Sequence, residues 1–282
     1  MRFFDKLERA ARKNGSLLCV GLDPDPALMP VDDACPPEAR VAAFNRAIIE
    51  ATRDYVCAYK PNLAFYEALG EKGYAALRET LAAIPADIPV IGDAKRGDIG
   101  NTAKAYARAL FDELGFDAAT VNPYLGGDAV EPFLERQEKA AFILCRTSNP
   151  GARDLQDLAV TDGDGTRPLF EVVAEMAARW NTRGNVGLVV GATYPDELRR
   201  VRQLCPDMTF LVPGVGAQGG DLAAVMANGL DAKGGGLIIN VSRQVLYASK
   251  GADFAQAAGE AARRLRDDIE AARRRVHPQT DG

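Results

Sequence analysis

The sequence predicts a closed (β/α)8 TIM barrel, a single α/β domain over residues 1–282 with a leading N-terminal helix. Three observations predict it. Eight short β-rich apolar runs alternate with amphipathic segments, which is the pattern of parallel strands joined by crossover helices. No Pro- or Ser-rich linker divides the runs into two halves, as two Rossmann-like units would require. Polar residues fall at the C-terminal ends of the apolar runs, where a barrel places its chemistry. The same alternation also allows an open, doubly wound sheet, which stands as the alternative topology.

The elements follow in order. Phe3–Lys13 is a charged amphipathic segment and reads as the leading helix. The eight strand runs are Leu17–Asp23, Val56–Pro61, Pro89–Lys95, Ala118–Pro123, Ala141–Thr147, Val186–Gly191, Thr209–Pro213 and Gly236–Val241. Between them, Glu38–Arg53, Asn101–Leu114, Asp128–Glu138, Leu169–Arg183 and Pro195–Leu204 carry apolar residues at three- and four-residue spacing and read as helices. Asp253–Arg275 reads as a long closing helix whose arginines, mixed with Asp267, Asp268 and Glu270, form a solvated face. Arg153–Arg167 has no periodic pattern, and a loop of that length inside a compact barrel reads as a lid or binding loop. Its Asp162-Gly163-Asp164-Gly165 lacks the spaced ligands and the acidic twelfth position of a calcium loop.

Composition narrows the function classes. With 47% apolar and 26% charged residues the chain can bury a full core. A net charge of −5 argues against nucleic-acid binding, which needs an excess of Lys and Arg to replace phosphate counterions. A locally positive pocket for a small phosphorylated ligand is compatible with that balance. Met1–Gly15 is charged every few residues and has no signal-peptide core, and no run reaches the roughly 20 apolar residues of a membrane span. No membrane partner is expected, and the cytoplasm is the expected compartment.

The five cysteines suggest neither a disulfide framework nor a zinc site, since Cys19, Cys57 and Cys145 sit in apolar runs as small hydrophobes. The single histidine is His277, in a polar tail. Ser-His-Asp triads, Cys-His pairs and histidine metal sites are therefore excluded unless that tail folds back. Acid–base chemistry falls to Lys, Asp, Glu or Tyr.

The sharpest motif is Asp93-Ala94-Lys95-Arg96-Gly97-Asp98 at the end of the third run. Asp93 and Lys95 are two apart on a strand, so alternation sends both side chains from one face into the barrel mouth. A structural ion pair is the plain alternative, because buried charges must be paired. It leaves unexplained why Asp23 ends the first run and Lys60 the second, on the same rim. After the seventh run comes Pro213-Gly214-Val215-Gly216-Ala217-Gln218-Gly219-Gly220, whose glycines let backbone N–H groups approach an anion and whose Gln218 adds a donor. Arg243 follows the eighth run and can grip a phosphate through two N–H groups. Ser148 follows the fifth, at the start of the long loop.

Taken together, Gly21–Pro24 (GLDP), Tyr59–Asn62 (YKPN), Asp93–Ala103 (DAKRGDIGNTA), Thr147–Ala152 (TSNPGA), Pro213–Asp221 (PGVGAQGGD) and Asn240–Arg243 (NVSR) resemble the orotidine 5′-phosphate decarboxylase family, in its longer bacterial and mycobacterial branch. The six motifs occur in register on successive strands. The resemblance implies a cofactor- and metal-free decarboxylation of orotidine 5′-monophosphate (OMP) to UMP in pyrimidine biosynthesis. It implies catalytic roles for Lys95, Asp93, Lys60 and Asp98, with Lys95 the proton donor. It places Asp23 beside the ribose, Ser148 on the pyrimidine, and Gln218 and Arg243 on the phosphate. Asp98 and Thr102 would reach across a homodimer interface into the partner's site. Ser242 stands where the shorter branch usually has Gly.

Two rival readings are weighed against it. Magnesium-dependent sugar-phosphate lyases of the same barrel group share the Asp-x-Lys-x-x-Asp element, but Lys60 opposes a cation where they favour Glu. A non-enzymatic phosphate-binding barrel would have no need for Asp and Lys on one strand face.

Overall fold

The computed structural model describes residues 1–30, 35–163, 165–216 and 220–278. Helix α1 (Phe3–Asn14) leads. The strands are β1 (Leu18–Leu22), β2 (Ala58–Pro61), β3 (Ile91–Arg96), β4 (Ala118–Val121), β5 (Ala140–Arg146), β6 (Ala159–Asp162), β7 (Gly165–Pro168), β8 (Val186–Val190), β9 (Phe210–Pro213) and β10 (Leu237–Val241). The further helices are α2 (Pro37–Thr52), α3 (Leu63–Glu67), α4 (Glu71–Ala83), α5 (Gly100–Arg108), α6 (Gly127–Leu134), α7 (Leu169–Trp180), α8 (Pro195–Leu204), α9 (Leu222–Gly229), α10 (Arg243–Leu246) and α11 (Phe254–Val276).

Eight strands form one parallel sheet in the order β2-β1-β10-β9-β8-β5-β4-β3. Parallel bridges Tyr59↔Val90 and Asn62↔Asp93 join its two edges, so the sheet closes. This is the expected barrel, and each of its strands falls within a residue or two of an expected run. Closure removes the free edges an open sheet would leave.

Strand alternation sorts the apolar side chains into two cores. Leu18, Val20, Val121, Val212 and Ile239 face outward and pack with the helices. Cys19, Ala58, Ile91, Ala118, Phe142, Leu211 and Ile238 face inward and share a cluster with Phe3 and Leu7 of α1. The leading helix thus seals the N-terminal end of the barrel. The Phe3 and Phe142 rings meet edge to face at 5.7 Å, and Lys6 Nζ pairs with Asp117 Oδ2 at 2.8 Å. Phe142 has room because its neighbour on β8 is Gly187, where a Cβ would lie 2.4 Å from the ring.

Three helical expectations and one loop are adjusted. The segment expected as one helix to Leu114 is α5 followed by a π-turn over Ala109–Glu113, closed by Leu114 N–H to Ala109 O at 3.1 Å. The wider turn lets the consecutive Leu110 and Phe111 both enter the core. Helix α6 stops at Leu134 instead of Glu138, because Glu135, Arg136, Gln137 and Glu138 offer no apolar face to bury. Helix α7 stops at Trp180, where the Asn181 side chain leaves the helix to accept the Val186 N–H at 2.9 Å. The stretch expected as irregular, Arg153–Arg167, contains the antiparallel hairpin β6–β7 after a 3-10 turn at Pro150–Asp154.

Candidate active site

The site is built at the C-terminal ends of the strands, where inward positions change from apolar to charged. Lys60, one inward position above Ala58 on β2, is 4% exposed, and Asp93, one above Ile91 on β3, is 9% exposed. Lys60 Nζ donates to Asp93 Oδ2 at 2.7 Å, and Lys95 Nζ donates to Asp93 Oδ1 at 2.5 Å. One carboxylate therefore lies between two ammonium groups. Burial alone would push the Asp93 carboxyl up, but Lys60 and Lys95 outweigh it and hold it well below the usual carboxylate range. Burial would likewise push Lys60 down, and the Asp93 and Asp23 carboxylates reverse that and hold it above the usual lysine value. Both groups are charged at neutral pH. Directly beneath, burial pushes the Cys19 thiol up to about 12, against the smaller opposing pull of Lys60.

Asp93 and Lys95 meet as expected, but not by simple strand alternation. The register of β3 on β4 jumps from Gly92↔Ala119 to Arg96↔Val121, a bulge. Within it Lys95 has φ 48°, the left-handed region that costs a side-chain-bearing residue about 1–2 kcal/mol. Opposite the bulge stands Thr120, 1% exposed. Its Oγ1 donates to Asp93 Oδ1 at 2.9 Å and accepts from Ala94 N at 3.0 Å and Lys95 N at 2.9 Å.

A cavity of about 450 Å³ opens beside this network. Asp23, Lys60, Asp93, Pro213, Gly214 and Val215 are among the residues that line it, with Ser242 and Arg243. Gly214 (φ 97°) and Gly216 (φ 74°) turn the chain after β9 back so that Gly220 N–H reaches Gly214 O at 3.2 Å. Gln218 lies outside the described residues. Ser242 packs its side chain against β1, where a Cβ on Gly21 would lie 1.9 Å from Ser242 Oγ. Glycine at 21 and serine at 242 are thus one fitted pair. The Tyr247 hydroxyl accepts from Asp25 N at 2.6 Å and donates to Asp23 O at 3.2 Å, fixing the chain after β1. Two buried acceptors of cavity-lining residues, Asp23 Oδ1 and Asn240 Oδ1, have no hydrogen-bond partner among the described residues, which suits a site completed by a polar ligand.

Asp23, Lys60, Asp93 and Arg243 are brought together around the cavity, with Lys95 attached through Asp93. Ser148 is half-buried, packed against Gly191 just after β8, and does not line the cavity. Asp98 and Thr102 are also outside its wall. Asp98 Oδ1 accepts the adjacent Ile99 N–H at 2.8 Å, and Thr102 is exposed in the first turn of α5. Among the described residues no three His, Cys, Asp or Glu side chains gather as a metal site, and no helix is long and apolar enough to cross a membrane. Sequence reasoning missed Thr120, Asn240 and Tyr247. The available signal for the first two was a polar residue at an inward-facing position of an apolar run.

Comparison with known proteins identifies the family. The profile of the family described as "Orotidine 5'-phosphate decarboxylase / HUMPS family" matches residues 16–258. The orotidine 5′-phosphate decarboxylase of Roseiflexus castenholzii is 57% identical over 278 residues, covering 98% of this chain and 100% of that relative. That of Thermomicrobium roseum is 55% identical over 280 residues, covering 99% of each. Among solved structures, the Leishmania donovani OMP decarboxylase matches with a TM-score of 0.83 at 47% identity, covering 97% of this chain and 99% of that one.

Proposed function

The chain belongs to the orotidine 5′-phosphate decarboxylase / HUMPS family, and on that premise we propose that Lys95, Asp93 and Lys60, joined by Asp98 of the partner subunit, carry its chemistry without metal or cofactor. The reaction is the carboxy-lyase step of pyrimidine biosynthesis, OMP to UMP and CO2. The observation that carries the residue assignment is the Lys60–Asp93–Lys95 chain at 2.7 and 2.5 Å beside an open cavity at the strand ends.

When the C6–carboxylate bond breaks, the electron pair stays on C6 in an sp² orbital in the ring plane, where the ring carbonyls delocalise it poorly. A fixed ammonium facing that carbon stabilises the developing charge, most strongly in a site that excludes water. Lys95 Nζ then passes a proton to C6, giving UMP, and regains one from solvent. Asp93 keeps Lys95 aimed, and Lys60 keeps Asp93 charged. Asp23, with its unpartnered Oδ1, takes the ribose. Arg243, Gln218 and the glycines after β9 take the phosphate, and Ser148 contacts the pyrimidine once its loop closes. Phosphate binding far from C6 supplies binding energy for that closure.

The working form in this reading is a homodimer in the cytoplasm, with the chain as one catalytic domain and Asp98 and Thr102 completing the partner's site. Support comes from the loops after β3 and β4. The end of β3 meets the loop after β4 through Asn122 N–H to Arg96 O at 2.8 Å, and the two loops expose Ile99 (56%), Tyr124 (75%) and Leu125 (47%), apolar side chains suited to burial against a second copy.

Ultraviolet absorbance of OMP with purified protein in EDTA tests the chemistry, and undiminished turnover is expected. Loss of turnover restored by magnesium would move the chain to the metal-dependent members of the barrel group. Mixing inactive Lys95→Ala and Asp98→Ala subunits tests the sharing, because a heterodimer contains one site with both native residues. No recovered activity after subunit exchange, verified by mass spectrometry, would mean that each site is built from one chain.

A further inference from the structure

The catalytic lysine occupies a conformation that its own residue type disfavours, and a single neighbouring side chain meets the backbone that creates it. Across the bulge, Asp93, Ala94 and Lys95 have no ladder partners on β4, so the amides of Ala94 and Lys95 must find acceptors elsewhere. Thr120 provides them. A hydroxyl has one proton to donate and two lone pairs to accept with, and Thr120 uses all three, on Asp93 Oδ1, Ala94 N and Lys95 N. The Lys95 side chain is half exposed, and Asp93 Oδ1, the same oxygen that Thr120 holds, receives its ammonium.

We propose that Thr120 is a positioning residue for the decarboxylation: its hydroxyl fixes the left-handed turn at Lys95 and the orientation of Asp93, and so the place of the Lys95 ammonium. The inference rests on the reading of Lys95 as proton donor. Thr120 is 1% exposed and its hydroxyl is taken up by Asp93 and the two bulge amides, so its effect acts through Lys95 and Asp93 and not through substrate contact. A reacting group displaced by about 1 Å can lose on the order of 100-fold in rate. The cost of losing the hydroxyl therefore belongs in kcat, whereas a merely structural threonine would show its loss in melting temperature with kcat intact.

The test compares Thr120→Val, which keeps the shape without the hydroxyl, Thr120→Ser, which keeps the hydroxyl, and Thr120→Cys, whose thiol is a weak donor and acceptor. In the full-length protein below its melting temperature, Val is expected to lower kcat by roughly 10- to 100-fold with KM within about 3-fold of wild type. Ser is expected to stay within about 3-fold of wild type in both, and Cys to fall between Ser and Val. A folded Val variant with wild-type kcat, or a Ser variant that loses as much as Val, overturns the inference. If Val does not fold, Cys decides, and a Cys variant with wild-type kcat overturns it equally. Lys95→Ala is the accompanying control. An active Lys95→Ala removes the underlying reading, whereas an inactive one beside a fully active Thr120→Val removes this inference alone.

Discussion

The lower and upper halves of the barrel interior are built by the same strands, two residues apart, and they have opposite chemistry. Moving up the inward face, Ala58 gives way to Lys60, Ile91 to Asp93, Ala118 to Thr120, Leu211 to Pro213 and Ile238 to Asn240. Below, the side chains join α1 in one apolar cluster and are held by burial and packing alone. Above, every buried charge needs a counter-charge and every buried amide an acceptor. Cys19 marks the boundary, a thiol kept neutral by burial within reach of the Lys60 charge. The lower half stabilises the fold, and the upper half draws on that stability to hold two ammonium groups around one carboxylate.

The sharpest break in this comparison is expected from Lys95→Ala. The ammonium is half exposed and Asp93 keeps Lys60 as a partner, so stability should change by no more than about 1 kcal/mol. Decarboxylation should fall by at least roughly 10³-fold, because charge stabilisation and proton donation are lost together. Saturating OMP, followed by ultraviolet absorbance beside a thermal melt, checks both, and retention of most activity would remove Lys95 from its role.

Phe142→Ala is the converse. It empties a fully buried position between α1 and Gly187 and should lower stability by about 3–5 kcal/mol. Measured well below its own melting temperature, it should keep kcat within a few-fold of wild type. A loss of kcat comparable to that of Lys95→Ala would show that the two halves are not separable.

Arg243→Ala acts on another residue of the cavity wall in the upper half. Losing the proposed phosphate partner should reduce kcat/KM by roughly 100-fold, largely through KM, with little change in melting temperature. Orotidine lacking the phosphate should be turned over equally poorly by wild type and variant. A variant that distinguishes OMP from orotidine as well as wild type does would place the phosphate elsewhere.

The smallest expected effect is a pH dependence of stability. Asp93 is held below its unfolded value, so its contribution is present above about pH 4 and is lost as pH falls toward its folded value. Lys60 is held above its unfolded value, so its contribution is present below about pH 10 and is lost as pH rises through its folded value. The melting-temperature difference between wild type and Lys60→Met/Asp93→Asn should therefore be flat from about pH 5 to 9 and change below about pH 4. A difference that varies steadily across the neutral range would mean that one of the pair titrates there.

Period and punctuation in the sequence determined the eight strands, five of the helices between them and the rim on which Asp23, Lys60, Asp93 and Lys95 stand, because burial of alternate positions is a local pattern repeated along the chain. The residue types at the strand ends also limited the chemistry, since a chain whose one histidine lies in a polar tail must use lysine and carboxylates. Local pattern could not supply what depends on two distant segments meeting. Alternation predicted that Asp93 and Lys95 share a face, but a bulge held by Thr120, 25 residues beyond Lys95, decided how they meet. The sequence motif also singled out Ser242, but only the approach of β10 to β1 made it the partner of Gly21. The hairpin β6–β7 was invisible because its exposed strands carry no apolar alternation to betray them. Hydrogen bonds and close contacts between strands are set by which segments the closed sheet brings side by side, and a single chain read in order does not contain that information.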